Sequence, residues 1–470
     1  MDPLQESFNH HKQLKQEFVS NLTGSSMLEI AALSTIVPAL IVLRHSLGFN
    51  DFLNTIGNSS KKNDGAPIGC RYWRVYVITL AIDFSFIVLP ILLCFTVLAE
   101  WSHIFAICLI MLLALCILAK RFGSSSSESA GGQWPIDSVG TTISSYRVSM
   151  MIVTCLCILA VDFKIFPRRY AKTETFGTGL MDLGVGSFVL ANSLISRQAR
   201  NLFSMKWKTA ILSSTPLVIL GVGRVIFTAG VNYQVHVGEY GVHWNFFFTL
   251  AAVSILTSII NIHPQYCGFL GLSILAGYQT SLMSGLNDYL LSDERTVSII
   301  SQNKEGIFSI FGYWGMYLVG VLLGNYLFFR SDSSSKTRSK QWTRVKIWIL
   351  SVMFWLLTII LDKHVEKVSR RMCNLAYVAF VLAQNFQVLA ILTLGDLIPG
   401  QKTSALEEAF NLNLLAVFLL ANVLTGLINL TVNTISTSSI TALAILVGYA
   451  FVLSVLAGFA KILGIKLKFW

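Results

Sequence analysis

Long apolar segments separated by short polar breaks are the feature that most constrains how this 470-residue chain can fold. A helix needs roughly 20 mostly apolar residues to cross a hydrocarbon core of about 30 Å. Segments of that kind predict an all-α, polytopic membrane helical bundle of about 13 transmembrane helices. The predicted spans are 27–46, 74–99, 102–119, 144–163, 178–196, 207–229, 241–262, 266–285, 307–329, 345–362, 373–398, 411–432 and 440–461. The weakest is 266–285, where Gly, Ser, Gln and Thr interrupt the apolar run, as in a re-entrant or bundle-interior helix.

The composition supports the bilayer as the solvent of this chain. Hydrophobic residues make up 54% and charged residues 13%, and the mean hydropathy is +0.64, too apolar for a soluble globular protein. The first 26 residues are polar, so no cleavable signal peptide is expected. We predict one integral membrane domain over 1–470, with a lumenal segment at 1–26, cytosolic loops at 120–145 and 330–344, and a further loop at 163–177.

The net charge of +11 invites comparison with nucleic-acid-binding proteins. The Lys and Arg residues, however, lie in short loops between the predicted spans, where the positive-inside rule explains most of them. No nucleic-acid partner is therefore predicted. Most of the basic residues fall on the inner side if the N-terminus is lumenal and the C-terminus cytosolic, which is the orientation that we predict.

Two loops on the predicted outer side break this rule, at 163–177 and 363–372. The first, called here the motif loop, carries Lys164, Arg168, Arg169 and Lys172. Such a cluster suits phosphate binding. Two other interpretations stay open: a structural ion pair with Asp162, or a span count that is wrong by one.

Ionisable residues at membrane depth are functional candidates by default, because each is unfavourable there unless it is paired or hydrated. We expect Asp83 and Arg224 to form a buried structural bridge, and Asp182 to lie at a helix N-terminus, where the helix dipole favours a carboxylate. The remaining candidates are Glu29 and Asp396. The eight cysteines indicate neither a disulfide framework nor a metal site.

A second concentration of polar residues precedes the aromatic run Phe246–Phe248. It contains Glu239, Tyr240, His243 and Asn245, which predict a surface that lines the substrate. Tyr is also an ordinary interface anchor, and a lone His is commonly structural, so both interpretations are kept.

Several motifs resemble those of the inositol acyltransferases of GPI-anchor synthesis, the PIG-W family. They are DFKIFPRRYAK at 162–172, TFGTG at 175–179 and MDLGVGS at 181–187. The likeness continues at 17–24, 239–245, 303–306, 312–313 and 418–429, and so spans nearly the whole chain.

This resemblance implies a multi-pass enzyme of the endoplasmic reticulum membrane. Such an enzyme moves a fatty acyl group, usually palmitoyl, from acyl-CoA to the inositol 2-hydroxyl of glucosaminyl-phosphatidylinositol. Acyl-CoA is a co-substrate, and no other cofactor is implied; the expected partners are these two substrates and membrane lipids. The family's catalytic Asp and Lys map onto Asp162 and Lys172, and Lys164 occupies a position that varies in the motif.

These residue types suit the reaction. Attack of an alcohol on a thioester needs a base for the hydroxyl proton and a partner for the charge that grows on the carbonyl oxygen. Asp162 is the expected base and Lys172 the expected partner, and Pro167 is expected to break any continuous helix between them. Arg168 and Arg169 are suited to a phosphodiester or to the CoA phosphates, or else to lipid headgroups. No G-x-S-x-G elbow is found, which favours direct transfer over an acyl-enzyme.

Two other classes of function compete with the acyltransferase. A secondary transporter of a lipid or small polar solute is suggested by the many spans and buried charges, and a non-catalytic scaffold is the third possibility. Asn21, in the sequence Asn-Leu-Thr, is a possible N-glycosylation site if the N-terminus is lumenal.

Overall fold

The computed structural model describes residues 22–47, 68–123, 138–202, 207–230, 237–329, 336–398 and 403–467, together with residues 18 and 20. The chain forms two compact units. The first unit comprises Met1–Ser25, Arg169–Phe386 and Phe469–Trp470, and the second comprises Ser26–Arg168 and Gln387–Lys468.

The described residues form helices, turns and loops, and the only β-type pairing among them is an isolated bridge between Ser25 and Thr178. In chain order the α-helices are α1 (Met27–Ser46), α2 (Ile68–Asp83), α3 (Leu89–Phe95), α4 (Ser102–Gly123), α5 (Ser138–Ala160), α6 (Leu183–Leu194), α7 (Trp207–Gly230), α8 (Val237–Tyr240), α9 (Phe246–Ile260), α10 (Pro264–Ser281), α11 (Asn287–Leu291), α12 (Ile299–Gln302), α13 (Lys304–Gly324), α14 (Lys336–His364), α15 (Leu375–Leu392), α16 (Ala405–Leu412), α17 (Leu414–Thr431) and α18 (Ser439–Ile462). Wider π-helical turns extend three of them at Phe84–Val88, Leu282–Leu286 and Asn325–Phe329.

Nine helices in the described ranges are long and apolar enough to cross a membrane. The nine are Met27–Ser46, Trp73–Phe95, Ala99–Lys120, Gly140–Ala160, Lys304–Phe329, Gln341–His364, Leu375–Leu397, Leu414–Thr431 and Ser439–Ile462. These lengths and compositions are those of a multi-pass membrane protein. Shorter apolar helical segments lie at three further predicted spans, at Leu180–Leu194, Ile211–Phe227 within α7, and Phe246–Ile260. The count of thirteen and the orientation of the termini stay predictions.

In the second unit, α1 packs against α4, and both α16 and α17 pack against α5. A buried ion pair joins two of its helices: Arg44 lies 2.6 Å from Oδ1 of Asp83. The predicted bridge between Asp83 and Arg224 is therefore wrong. The charge of Asp83 is neutralised by a residue of the first span, which ends beside it; its other oxygen accepts from the backbone N–H of Leu406 at 3.1 Å.

In the first unit, α13 is the central helix, with α6, α9 and α10 packed around it. Glycine lets α10 and α13 approach closely. A Cβ added at Gly271 would lie 2.8 Å from the carbonyl oxygen of Gly315, and one added at Gly315 would lie 3.1 Å from that of Gly271. Small residues are the usual means by which membrane helices bring their backbones together.

The predicted span at 266–285 is the part of the first unit where helix geometry is least regular. Helix α10 ends at Ser281 and runs into a π-helical turn that contains Gly285 at φ 114°. This backbone conformation favours glycine. The segment is not among the nine membrane-length helices of the described chain, in keeping with its interrupted apolar pattern.

Candidate active site

The motif loop begins where the long helix α5 ends. Helix α5 stops at Ala160, and turns lead to a single 3₁₀ turn at Arg168–Tyr170. Asp162 and Lys172 therefore do not share a continuous helix, as expected from Pro167 between them. Three aromatic side chains of this stretch, Phe163, Phe166 and Tyr170, are fully buried and hold it in place.

Asp162 is held by a hydrogen bond from the twelfth predicted span. The side-chain amide of Asn429, on α17, donates to Oδ2 of Asp162 at 2.8 Å. Both residues belong to the second unit. The bond connects α17 with the predicted base, whereas the side-chain amide of Asn422 donates to the carbonyl oxygen of Phe418 in its own helix.

Arg168 and Arg169 occupy different surroundings. Arg168 donates from Nη2 to the carbonyl oxygen of Val161 at 2.5 Å. Burial lowers the pKa of Arg168 to about 10, and the nearby charge of Asp162 opposes this shift. The guanidinium of Arg169 lies 5.1 Å from the ring centre of Tyr170, within range of a cation–π interaction.

Lys172 forms an ion pair with the polar segment that precedes α9. Its Nζ donates to Oε1 of Glu239 at 2.7 Å, and Arg370 donates from Nη1 to the same oxygen at 3.2 Å. Burial by itself raises the pKa of Glu239, but the charges of Lys172 and Arg370 outweigh it and bring the pKa to about 2. Glu239 is therefore an anion at any physiological pH.

The Lys172 side chain is 37% exposed, the most accessible member of this group. The protein packed around its ammonium group nevertheless lowers the pKa of Lys172, and the charges of Arg370 and Arg224 act in the same direction. The carboxylate of Glu239 opposes that shift. The Glu239 carboxylate thus favours the charged form of Lys172 against the effect of burial.

Asp182 lies directly before α6, as predicted for an acid at a helix N-terminus. Its side-chain carboxylate, however, accepts hydrogen bonds from Thr173 and Gly179, which precede it in the chain. Its carboxylate accepts from the backbone N–H of Thr173 at 3.1 Å, the Thr173 hydroxyl at 2.9 Å and the backbone N–H of Gly179 at 2.8 Å. Arg370 adds a charged bond from Nε to Oδ1 at 2.8 Å. The Tyr377 hydroxyl donates to the Asp182 carbonyl oxygen at 2.8 Å.

The two basic loops that break the positive-inside rule meet in the first unit. The backbone N–H of Gly177 donates to the carbonyl oxygen of Val368 at 2.8 Å, and the Ser369 hydroxyl donates to the carbonyl oxygen of Thr175 at 2.5 Å. Arg370, in the second loop, then reaches Asp182 and Glu239. Sequence reasoning missed Arg370 as a site residue, although its presence in an outer basic loop was the available signal.

A neighbouring ion cluster stabilises the same region. Oε1 of Glu305, which is wholly buried, accepts from Arg295 at 2.6 Å and from Arg371 at 3.0 Å. The ammonium group of Lys304 donates to the carbonyl oxygens of Tyr289 and Ser292, both at 2.7 Å. These bonds satisfy carbonyl groups where α11 ends. The Asn303–Gly306 motif therefore has a structural explanation.

The predicted substrate-lining residues divide into several environments. Asn245 caps the N-terminus of α9, and its amide donates to the carbonyl oxygen of Gly221 at 2.9 Å, which is a structural role. The backbone N–H of His243 donates to Oδ1 of Asn303 at 2.8 Å, while its side chain is exposed. Tyr240 is buried, and within the described chain its hydroxyl has no hydrogen-bond partner. Burial raises the pKa of Tyr240, so this hydroxyl is a donor at neutral pH.

The structure brings some predicted site residues together and leaves others in separate surroundings. Lys172, Glu239 and Tyr240 belong to the first unit, while Asp162 and Arg168 belong to the second. Among the residues described, no group of three or more His, Cys, Asp or Glu side chains is arranged to hold a metal ion. The possible glycosylation site Asn21 lies outside the described residues.

Comparison with known proteins gives matches along nearly the whole chain. The sequence model of the GWT1 family matches residues 11–460. An uncharacterized protein of Arabidopsis thaliana is 54% identical over 436 residues, which cover 92% of this chain and 98% of that protein. The phosphatidylinositol-glycan biosynthesis class W protein of Dictyostelium discoideum is 34% identical over 98% of this chain and 100% of its own length. The GPI-anchored wall transfer protein 1 of Candida albicans is 34% identical over 95% of this chain and 96% of that protein. The resemblance seen in the motif at 162–172 is thereby confirmed, and the chain belongs to the GWT1 family.

Proposed function

We propose that this protein acts in GPI-anchor biosynthesis, where it transfers a fatty acyl group, typically palmitoyl, from acyl-CoA to the inositol 2-hydroxyl of glucosaminyl-phosphatidylinositol. Relatives named for phosphatidylinositol-glycan biosynthesis and for GPI-anchored wall transfer support this assignment. The proposed location is the endoplasmic reticulum membrane. Both the acyl chain and the phosphatidylinositol are lipids, and a bundle with many membrane-length helices can admit them sideways.

The observation that carries the proposal is the environment of Lys172. Its ammonium group is fixed by Glu239 at 2.7 Å, yet 37% of the side chain is accessible. A fixed cation at an accessible surface is the arrangement needed to stabilise the oxyanion of a thioester under attack, because a preorganised charge requires no reorganisation during the reaction.

The proposed step is a direct acyl transfer. Asp162 takes the proton of the inositol 2-hydroxyl as its oxygen forms a bond with the thioester carbon, and Lys172 stabilises the negative carbonyl oxygen. The carbon–sulfur bond then breaks, and the CoA thiolate leaves with the proton that Asp162 had taken. The hydrogen bond from Asn429 at 2.8 Å orients the carboxylate of Asp162 for the first proton transfer. Arg168 and Arg169 are proposed to attract the phosphate groups of the substrates.

The test is an assay with purified protein, palmitoyl-CoA and glucosaminyl-phosphatidylinositol. Phosphatidylinositol-specific phospholipase C needs a free inositol 2-hydroxyl for cyclisation, so an acylated product resists it. We expect Asp162→Asn and Lys172→Ala to abolish the resistant product while the protein still folds. Lys164→Ala is the matched control, because Lys164 is an exposed lysine of the same loop and is expected to be dispensable.

Three outcomes would overturn the proposal in different ways. Wild-type turnover by Lys172→Ala would remove that residue from the reaction. Substrate flux in proteoliposomes without any acylated product would favour the transporter. Rescue of cells that lack the protein by Asp162→Asn would favour a scaffold.

A further inference from the structure

Ion pairs and hydrogen bonds around Lys172 together form a closed circuit in the first unit. Lys172 binds Glu239, Glu239 binds Arg370, and Arg370 binds Asp182. Asp182 then accepts from the backbone N–H and the hydroxyl of Thr173, the residue that follows Lys172 in the chain. The side chain of Lys172 is thus held at its tip by Glu239, and its backbone is held through the next residue by Asp182.

The positive and negative charges of the circuit cancel, and its four charged side chains differ in exposed fraction. It contains two cations and two carboxylates, so no charge is left uncompensated within it. Asp182 is 1% exposed and Arg370 3%, whereas Glu239 is 17% and Lys172 37% exposed. The circuit is therefore anchored in the protein interior by Asp182 and Arg370, and Lys172 is its most exposed member.

Burial of an ion pair such as Asp182 and Arg370 is an unfavourable way to stabilise a fold, because apolar residues of similar volume commonly do as well or better. A buried charge network is more useful for fixing one geometry. Here the geometry that is fixed is the position of the Lys172 ammonium group. Oε1 of Glu239 is occupied by both Lys172 and Arg370, which argues against a direct role for this oxygen in substrate binding.

We infer that Glu239, Arg370 and Asp182 are positioning residues that hold the Lys172 ammonium group in place for the acyl-transfer step, with Glu239 acting on the lysine and not as a ligand of the substrate. The inference rests on the proposed function. It assigns a role to the second basic loop, at 363–372, because Arg370 is the member that joins the two carboxylates.

Glu239→Gln is the informative variant, since it keeps the shape of the side chain and removes its charge. Displacement of a reacting group by about 1 Å can lower a rate by about 10²-fold. We therefore expect kcat of Glu239→Gln to fall by about 10- to 100-fold with little change in KM. The alkaline limb of the pH–rate profile should move to lower pH, because the neutral amide no longer stabilises the protonated lysine, while the positive charges of Arg370 and Arg224 stay. Glu239→Asp should restore the position of that limb.

A second measurement does not depend on catalysis. The reaction of Lys172 with a trace amine reagent such as acetic anhydride, followed by mass spectrometry across a pH series, reports the titration of that lysine directly. Glu239→Gln should shift the labelling curve of Lys172 to lower pH. Glu305→Gln is the matched control, because Glu305 is a buried carboxylate of the same unit that binds Arg295 and Arg371 instead of Lys172. It should leave the labelling curve unchanged.

The outcomes separate this inference from the proposed function. If Lys172→Ala is inactive while Glu239→Gln matches the wild type in kcat and in the labelling curve, the positioning role is overturned and the acyltransferase stands. If the wild-type protein gives no acylated product, both are overturned. If Glu239→Gln fails to fold, Glu239→Asp decides: an unchanged pH limb with lower kcat supports positioning, and unchanged kcat contradicts it.

Discussion

The Nε atom of Arg370 donates to Oδ1 of Asp182 at 2.8 Å, across 188 residues of sequence. Both side chains are almost completely buried, with exposed fractions of 3% and 1%. This contact joins the loop after α14 to the segment that follows the motif loop. The lysine proposed for catalysis therefore depends on a residue far from it in sequence.

Replacing Arg370 by Met should destabilise the protein strongly. The change leaves the buried carboxylate of Asp182 without its cation and removes one of the two cations that bind Glu239. Breaking a buried pair in this way costs about 3–5 kcal/mol. Thermal unfolding of the detergent-purified protein would measure the loss. The double variant Arg370→Met with Asp182→Asn should recover part of it, because the second change removes the carboxylate charge that Arg370 had neutralised. Equal stability of Arg370→Met and wild type would contradict the burial of this pair.

Asn429→Ala should lower acyl transfer by roughly 10-fold or more, because Asp162 loses the hydrogen bond that orients its carboxylate. Initial rates in the phospholipase-resistance assay would show the effect. Asn422→Ala is the matched control on the same helix, since the Asn422 amide bonds only the carbonyl oxygen of Phe418 in its own helix among its described hydrogen bonds. If the two variants have equal activity, Asn429 does not orient the base.

Gly312→Ala should lower both stability and activity. A Cβ at this position would lie 2.1 Å from the carbonyl oxygen of Cys373 and 2.8 Å from its sulfur. Cys373 has a left-handed backbone with φ 50°, so this loop has little freedom to move away. Overpacking of this kind costs about 1–3 kcal/mol. Cys373 is three residues from Arg370, and any displacement would disturb the circuit around Lys172.

Gly277→Ala provides the comparison for that prediction. Gly277 lies inside α10, and no atom would be within 4 Å of an added Cβ. Alanine is favoured over glycine in a helix interior by about 1 kcal/mol, so this variant should be as stable as the wild type or slightly more so. A melting temperature that falls equally in both variants would show that the contact with Cys373 is not the cause.

Because of Glu407, the free energy of unfolding should decrease as the pH falls through the acid range. Burial raises the pKa of Glu407, but His45 at 2.6 Å, the Ser145 hydroxyl and the Ser404 N–H lower it more, so the pKa lies below the ordinary 4.5. A carboxylate with a depressed folded-state pKa adds stability that is complete above the unfolded pKa and is lost as pH falls through the folded one.

Melting curves from about pH 7 down to about pH 3 would test this sign. Glu407→Gln should melt at a lower temperature than the wild type at neutral pH, and the difference between the two proteins should shrink as the pH falls below 4.5. A difference that is constant across the series would show that the charge of Glu407 contributes nothing.

Much of the helical architecture could be predicted from local sequence. The predicted span at 27–46 coincides with α1, and the span at 440–461 differs from α18 by one residue at each end. Length and hydropathy suffice for such segments, because each helix satisfies its own backbone hydrogen bonds. The family motif at 162–172 could be recognised for a different reason: its residues are contiguous in the chain.

Pairings between distant residues could not be predicted in this way. Asp83 was expected to bind Arg224, but its partner is Arg44, because α1 and not α7 carries the cation beside it. Glu239 was predicted to line the substrate, which stays a prediction, and its ion pair with Lys172 was not anticipated. For Asp83 the need for a partner was correctly identified, while the choice of partner depended on which helices touch.

The amino-acid sequence by itself determined that this chain is helical and membrane-spanning, since apolar length and backbone hydrogen bonding are local properties. It also determined which Asp and Lys belong to the family motif. Only the tertiary structure decided that the two basic loops at 163–177 and 363–372 meet, and that Arg370 binds both Asp182 and Glu239, the carboxylate that binds Lys172. The physical reason is that a buried charge requires a neutralising neighbour, and packing of helices far apart in sequence determines which neighbour is within reach.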